Sequence, residues 1–324
     1  MKKVNNSLNI DLVMATWLAS NTYTGSKPGK SISATTLLRS TQQQVLGLRA
    51  VNSPDIIEEV DISTLLKSSI GTALHKSIQD TWESTEARTS GLKNLGISEK
   101  MIDKIVVNPD NPDPTKYNLF FEKRVNKQFH GWNITGQFDL VTNGDLHDFK
   151  STSTYTYTNK TKEKDYILQG SIYRWLNPEL IKGDFITIHY IFTDWNKNYL
   201  HSKDDYPLHP FVSVKLPLMS IAEIESFLSE KIRLIDENME ATDLPPCDNK
   251  TLLIEEVWQY FANETSTKAS KNFTSPLEAS QYLATKGKGI VKKKAGEPKG
   301  CSWCNCRGIC KQYANFLKIG LIKE

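Results

Sequence analysis

The stretch Gly136–Lys150, G-Q-F-D-L-V-T-N-G-D-L-H-D-F-K, leaves this chain few folds to choose from. Phe138 and Leu140 alternate with Asp139, a Thr-Asn-Gly turn covers Thr142 to Gly144, and Leu146 and Phe149 flank a return strand. That is the pattern of a β-hairpin. A tight turn between antiparallel strands brings Asp139 and Asp148 together. Residues two apart share one face of a strand, so Asp148 and Lys150 project the same way. Two carboxylates and one ammonium then converge, an arrangement suited to a hard divalent cation such as Mg²⁺. A lysine beside that cation orients or deprotonates a water, or stabilises charge developing on a phosphoryl group. On its own, an acid and a lysine on a polar strand face are more often a solvated ion pair of little weight.

The flanking sequence adds to the hairpin. In Gly71–Glu83, G-T-A-L-H-K-S-I-Q-D-T-W-E, Leu74, Ile78 and Trp82 recur at helical spacing. His75 lies at the edge of that stripe. A lone histidine there is usually structural, yet a neutral imidazole facing carboxylates completes a metal shell. Glu122, in F-F-E-K-R-V, falls on a strand ahead of the hairpin, either behind the metal ligands or as an exposed partner of Lys123 or Arg124. Residues 164–176 read as a helix on which Gln169 and Tyr173 share a face, within reach of the lysine or of a nucleic-acid backbone.

Cysteine is confined to the end of the chain, at Cys247, Cys301, Cys304, Cys306 and Cys310. The run C-S-W-C-N-C-R-G-I-C has the density of a metal site. An odd count with no secretion signal speaks against a disulfide framework. Cys301, Cys304 and Cys310 form the expected set with Cys247 or Cys306 as fourth thiolate. Cys247 is favoured, because Cys304 and Cys306 are too near in sequence to share a tetrahedral site without strain. Four thiolates suit Zn²⁺ or a 4Fe–4S cluster. Lys292, Lys293 and Lys294 lie in a lysine-dense stretch that reads as a solvated or phosphate-gripping loop. Residues 151–164 form a second such loop, where Tyr155, Tyr157, Lys160 and Lys162 offer rings for bases and cations for phosphates.

Taken in order, Gly71 and His75, Glu122, Gly136 and Asp139, Asp148-Phe149-Lys150, and Gln169 and Tyr173 resemble the PD-(D/E)xK nuclease superfamily. The resemblance is to its RecB-like branch, which includes CRISPR-adaptation and bacteriophage exonucleases. It implies an α/β fold: a restriction-endonuclease-like core, with a mixed β-sheet flanked by helices, and a Cys-rich C-terminal extension. In that family His75, Asp139, Asp148 and the Phe149 carbonyl would hold Mg²⁺ or Mn²⁺, and Lys150 would position water. Gln169 and Tyr173 would contact DNA or brace the site. Asp148 departs from the commoner Glu. The Cys301, Cys304, Cys310 spacing resembles the C-terminal triad of iron–sulfur members, whose fourth cysteine precedes the histidine. The corresponding stretch here, Ser33–Leu46, has no cysteine.

The implied activity is a metal-dependent DNA exonuclease in recombination, repair or phage DNA processing. Its partners would be single-stranded DNA or DNA ends, with a single-strand-binding or recombination protein. A structure-specific or single-strand endonuclease and a non-catalytic DNA-binding or replication-partner protein are the alternatives. No phosphate loop of the form G-x-x-x-x-G-K-[ST] occurs, so ATP-driven unwinding is not expected.

Composition sets outer bounds. With 324 residues and 39% hydrophobic content there is material for a core, while a net charge of +3 does not by itself indicate nucleic-acid binding. No apolar run reaches about 18 residues, so no transmembrane helix or membrane partner is expected. The opening M-K-K-V-N-N-S-L-N-I-D lacks the apolar segment of a secretion signal. The expected location is the cytoplasm, that of a bacterial host if the chain is a phage's. The expected division is an N-terminal segment 1–30, a nuclease core 31–243 and a Cys-containing extension 244–324. Three strands are expected over 118–150, and a helix-like piece over Leu252–Phe261.

Overall fold

A β-ribbon that changes sheets partway along places the acidic residues. Tyr117–Phe121 and Leu140–Thr142 pair antiparallel inside a six-stranded sheet. Their continuations, Arg124–Phe129 and Trp132–Gln137, pair antiparallel inside a separate three-stranded sheet. The changeover falls at Glu122 on one strand and at Phe138 and Asp139 on the other, and the Glu122 N–H donates across it to the Asp139 carbonyl at 3.1 Å. Glu122 has a φ of +48°, left-handed backbone that non-glycine residues seldom adopt. Local breaks of this kind re-aim a side chain.

The hairpin is therefore shorter than the sequence suggests, and 118–150 holds more strands than the expected three. Its arms are Leu140–Thr142 and Asp145–Thr152, and Asn143 and Gly144 turn between them with φ of +51° and +91°. Both angles are what a two-residue turn of this kind demands. Asp139 sits in the bend just ahead of the first arm.

In this computed structural model the described residues are 2–20, 29–52, 58–200, 205–254 and 256–322. Of the expected N-terminal segment, residues 1 and 21–28 lie outside them. The six strands lie in the order Phe211–Pro217, Phe185–Phe192, Asp145–Thr152, Leu140–Thr142, Tyr117–Phe121, Ile105–Val107. Parallel and antiparallel pairs mix within the sheet, and the molecule is mixed α/β as expected. Phe185–Phe192 runs parallel to Asp145–Thr152, and the crossover that parallel neighbours require includes helix Glu163–Leu176. Leu146, Ile172, Trp175, Ile186 and Ile188 are fully buried in this region. The close approach of the helix rests on glycine. A Cβ at Gly136 would stand 2.6 Å from Leu176 Cδ1 and 3.1 Å from Tyr173 Cδ1.

The chain divides into two units. Met1–Leu38 and Val51–Glu237 form the larger, which holds the elements just described; Arg39–Ala50 and Asn238–Glu324 form the smaller. Residues 39–50, expected within the core, thus group with the C-terminal residues, and that group starts at 238 rather than 244. In the smaller unit Lys271–Phe273, Val257–Phe261 and Ile290–Lys294 form a three-stranded sheet, with helix Pro276–Lys286 between the outer strands in sequence. The expected helix over Leu252–Phe261 is replaced by this strand. Helix Asn249–Leu252 ends at left-handed Leu253, and the β-branched and aromatic run V-W-Q-Y-F then extends. No helix among the described residues is long and apolar enough to cross a membrane.

Candidate functional site

Helix Leu66–Glu83 brings His75 to the bend in the ribbon. His75 Nε2 lies 2.9 Å from the Phe149 carbonyl oxygen, and Nδ1 lies 3.4 Å from both Glu122 Oε1 and Asp139 Oδ1. One ligand atom from each of His75, Glu122 and Asp139 falls within 4.8 Å of the others. Both acids are held from behind. Gln137 Nε2 donates to Glu122 Oε2 at 2.6 Å, and the Phe149 N–H donates to Asp139 Oδ2 at 2.8 Å. An imidazole and two carboxylates make a donor set that fits Mg²⁺ or Mn²⁺. The Phe149 carbonyl, expected among the ligands, instead meets the other ring nitrogen of His75, on the side of the ring away from the acids. Burial pulls the His75 pKa down, but hydrogen bonds and charge from Asp139 and Glu122 outweigh it and raise it to about 10. In the metal-free protein a proton on His75 offsets one of the two carboxylate charges.

Glu122 is the residue the sequence undervalued. Read as lying behind the ligands or as an exposed partner of Lys123 or Arg124, it faces His75 because its left-handed backbone turns it inward. Arg124 Nε instead donates to Gln137 Oε1 at 3.0 Å, and Lys123 Nζ lies over the Phe120 ring at 5.6 Å.

Asp148 differs in the other direction. Only 1% exposed, it stands outside the His75–Glu122–Asp139 group, and its Oδ2 is 2.5 Å from Lys150 Nζ. The distance is that of an ion pair, although the approach lacks hydrogen-bond geometry. Burial raises the Asp148 pKa, Lys150 opposes the rise and Asp139 adds to it. Burial pulls Lys150 down, but Asp148 and Asp139 prevail and hold it above the ordinary lysine value. Lys150 Nζ also lies 5.5 Å from the centre of the Tyr166 ring.

Gln169 and Tyr173 share a helix face as expected, but they satisfy one another: Gln169 Nε2 donates to the Tyr173 hydroxyl at 2.7 Å. Both are buried. The arrangement braces the helix and does not present either side chain to a nucleic-acid strand.

The expected strand-gripping residues fare unevenly. Residues 151–164 include helix Thr154–Thr158 rather than forming an open loop. Tyr155 is exposed, whereas Tyr157 packs against Tyr190 and Phe192 with ring centroids 5.4 and 5.5 Å away. Lys160 lies 4.0 Å from Glu163 and Lys162 lies 3.2 Å from Asp165. In the smaller unit Lys292, Lys293 and Lys294 belong to strand Ile290–Lys294, not to a loop. Lys292 Nζ stands over Phe261 at 5.3 Å, Lys293 pairs with Glu256 at 3.1 Å, and Lys294 is exposed.

All five cysteines line one pocket of the smaller unit, together with Gln42, Gln43 and Leu46. None is in a disulfide. Burial raises the Cys247 thiol and pushes Cys301 up to about 11. Cys304 is lowered, first by a hydrogen bond from Cys306, and the same contact raises Cys306. Among the described residues no three thiol sulfurs lie within 4.8 Å of one another.

No protein-family model matches this chain, and no curated protein matches it. Among solved structures, that of SSO0001 aligns at a TM-score of 0.37 and 15% identity, over 68% of this chain and 84% of the other, too loosely to support any inference about fold or activity.

Proposed function

We propose that this chain is a divalent-metal-dependent DNA nuclease of the PD-(D/E)xK type, RecB-like branch, acting as an exonuclease. The observation that carries the reading is the meeting of His75, Glu122 and Asp139 near a pair formed by buried Asp148 and half-buried Lys150. The mixed sheet with its parallel crossover helix supports a restriction-endonuclease-like core. A bound Mg²⁺ or Mn²⁺ supplies positive charge at the scissile phosphate and acidifies a water. Glu122 and Asp139 are pre-oriented for that charge by Gln137 and the Phe149 amide. His75 would hold the cation through Nδ1, which faces the acids, once its proton is lost. Lys150, fixed by Asp148, aims an ammonium donor at the attacking water or the developing phosphoryl charge. Tyr155, Lys160, Lys162, Lys292, Lys293 and Lys294 are exposed candidates for gripping DNA. The setting that fits is DNA recombination, repair or phage DNA processing in the cytoplasm.

The test is incubation of linear DNA labelled at the 5′ or 3′ end, and of circular single-stranded DNA, with Mg²⁺ or Mn²⁺. Linear DNA should shorten from an end and circular DNA should resist, with no cleavage by Asp139→Ala. A wild-type protein without metal-dependent cleavage would end the proposal, and equal cleavage of circles would convert it to an endonuclease.

The thiol pocket supports a second, structural cofactor held by Cys247, Cys301, Cys304 and Cys310. Four thiolates on one zinc at about 2.3 Å would stand about 3.8 Å apart. The wider set found here favours a 4Fe–4S cluster over Zn²⁺.

A further inference from the structure

The stretch with no cysteine, Ser33–Leu46, brings hydroxyl and amide groups to the thiol pocket instead. Ser40 stands just ahead of helix Thr41–Asn52 and forms a reciprocal cap with Gln43. The Gln43 N–H donates to Ser40 Oγ and the Ser40 N–H donates to Gln43 Oε1, each at 3.3 Å. The same turn touches three sulfurs. Ser40 Oγ lies 3.1 Å from Cys247 Sγ, Gln42 Nε2 lies 3.4 Å from Cys310 Sγ, and Gln43 Nε2 lies 3.6 Å from Cys304 Sγ.

Backbone donors decide which way the carboxamides face. The Cys247 N–H is shared between Gln42 Oε1 at 3.1 Å and Gln312 Oε1 at 3.0 Å, which fixes the Gln42 oxygen there. The Ser40 N–H fixes the Gln43 oxygen in the same way. With both oxygens engaged by N–H groups, the amino ends face Cys310 and Cys304, while Gln42 Oε1 also lies 3.3 Å from Cys247 Sγ. Gln42 is 5% exposed, so water does not compete for its amino group. The Cys310 sulfur also accepts the Tyr313 N–H at 3.5 Å, capping helix Lys311–Lys318. A neutral thiol is a weak acceptor, whereas a thiolate or sulfide is anionic and strengthens every such bond. Cys306, outside the set of four, lies 3.6 Å from the Gln43 carbonyl oxygen as well as against Cys304.

We propose that Ser40, Gln42 and Gln43 form a hydrogen-bonding cap on the sulfur ligands of an iron–sulfur cluster and raise its reduction potential. The inference rests on the reading that the thiols hold such a cluster. Reduction adds negative charge to the cluster and its ligands, and donors aimed at sulfur stabilise the more negative state. Their removal shifts the midpoint to lower potential. The three are positioning residues and touch the ligands rather than any substrate.

The test uses full-length protein purified without oxygen, with iron, acid-labile sulfide and the midpoint potential measured for wild type, Gln42→Leu, Gln43→Leu, the double variant and Ser40→Thr. Wild type should hold iron and sulfide in equal amounts. Each leucine variant should keep them with a lower midpoint, the double variant lowest, and Ser40→Thr, which keeps the hydroxyl, should match wild type. Iron retained at an unchanged midpoint in the double variant overturns the cap. Wild type that holds zinc or no iron overturns the cluster reading beneath it. A variant too labile for potentiometry is read by iron release to a chelator. Faster release at an unchanged metal-free melting temperature supports the cap, and a wild-type rate overturns it. DNA cleavage by the larger unit is scored separately and bears on neither outcome.

Discussion

Asp148 is a carboxylate buried as deeply as the core, and such a charge persists only where a partner compensates it. Lys150→Met removes that partner. The variant is expected to lose cleavage by about 100-fold or more and to unfold at lower urea. Adding Asp148→Leu should restore much of the stability but none of the cleavage, a split that a merely structural pair would not show. His75 gives a pH test. Its pKa is raised from 6.5 to about 10 in the folded, metal-free protein. A base raised on folding contributes its full stabilisation below the unfolded value and loses it as pH rises through the folded one. In EDTA, wild-type stability should therefore fall from about pH 7 to 10 and that of His75→Gln should fall less, and parallel urea curves would contradict this. Mn²⁺ must displace the same proton, so its affinity, read by calorimetry, should rise about tenfold per pH unit between pH 7 and 9. Residue spacing made His75, Asp139 and Lys150 legible, because alternation and helical period fix which way side chains point. That Glu122 meets His75 and Asp139 was not legible, since no periodicity records a left-handed backbone. Gln42 and Gln43 escaped because a search for sulfur ligands passes over amides.

The elements read most clearly are those with a long, regular apolar period, such as helix Glu163–Leu176. The ribbon was read as one sheet because alternation continues unbroken through Phe138 and Asp139, and only pairing partners reveal the change of sheet. Val257–Phe261 was misread for the opposite reason: Leu252 and Leu253 lend it a helical start that left-handed Leu253 then ends. Two glycines test the packing. Gly136→Ala drives a methyl toward Leu176 and Tyr173 and should cost about 1–3 kcal/mol in urea unfolding. Gly91→Ala, in helix Thr85–Asn94 with nothing within 4 Å of the new Cβ, should stabilise by about 0.4–1 kcal/mol. Equal effects at the two positions would contradict the close approach at Gly136.

At the scale of the molecule, the two units should answer different ligands. Cys304→Ala should lower the unfolding temperature of the smaller unit, while Mn²⁺ should raise only that of the larger, resolved as two calorimetric transitions. A single transition that responds to both would join the units thermodynamically. The order of the segments also has a consequence in time. Arg39–Ala50 leaves the ribosome ahead of Val51–Glu237, and its partners follow only after that whole stretch. At about 5–20 residues per second, the interval is on the order of 10–40 s. Through it Val45, Leu46 and Leu48, buried in the finished protein, lack the later part of their own unit. The larger unit is whole once Glu237 has emerged, ahead of Cys247 and every later cysteine, so it can begin its final folding before the thiol pocket has a single cysteine.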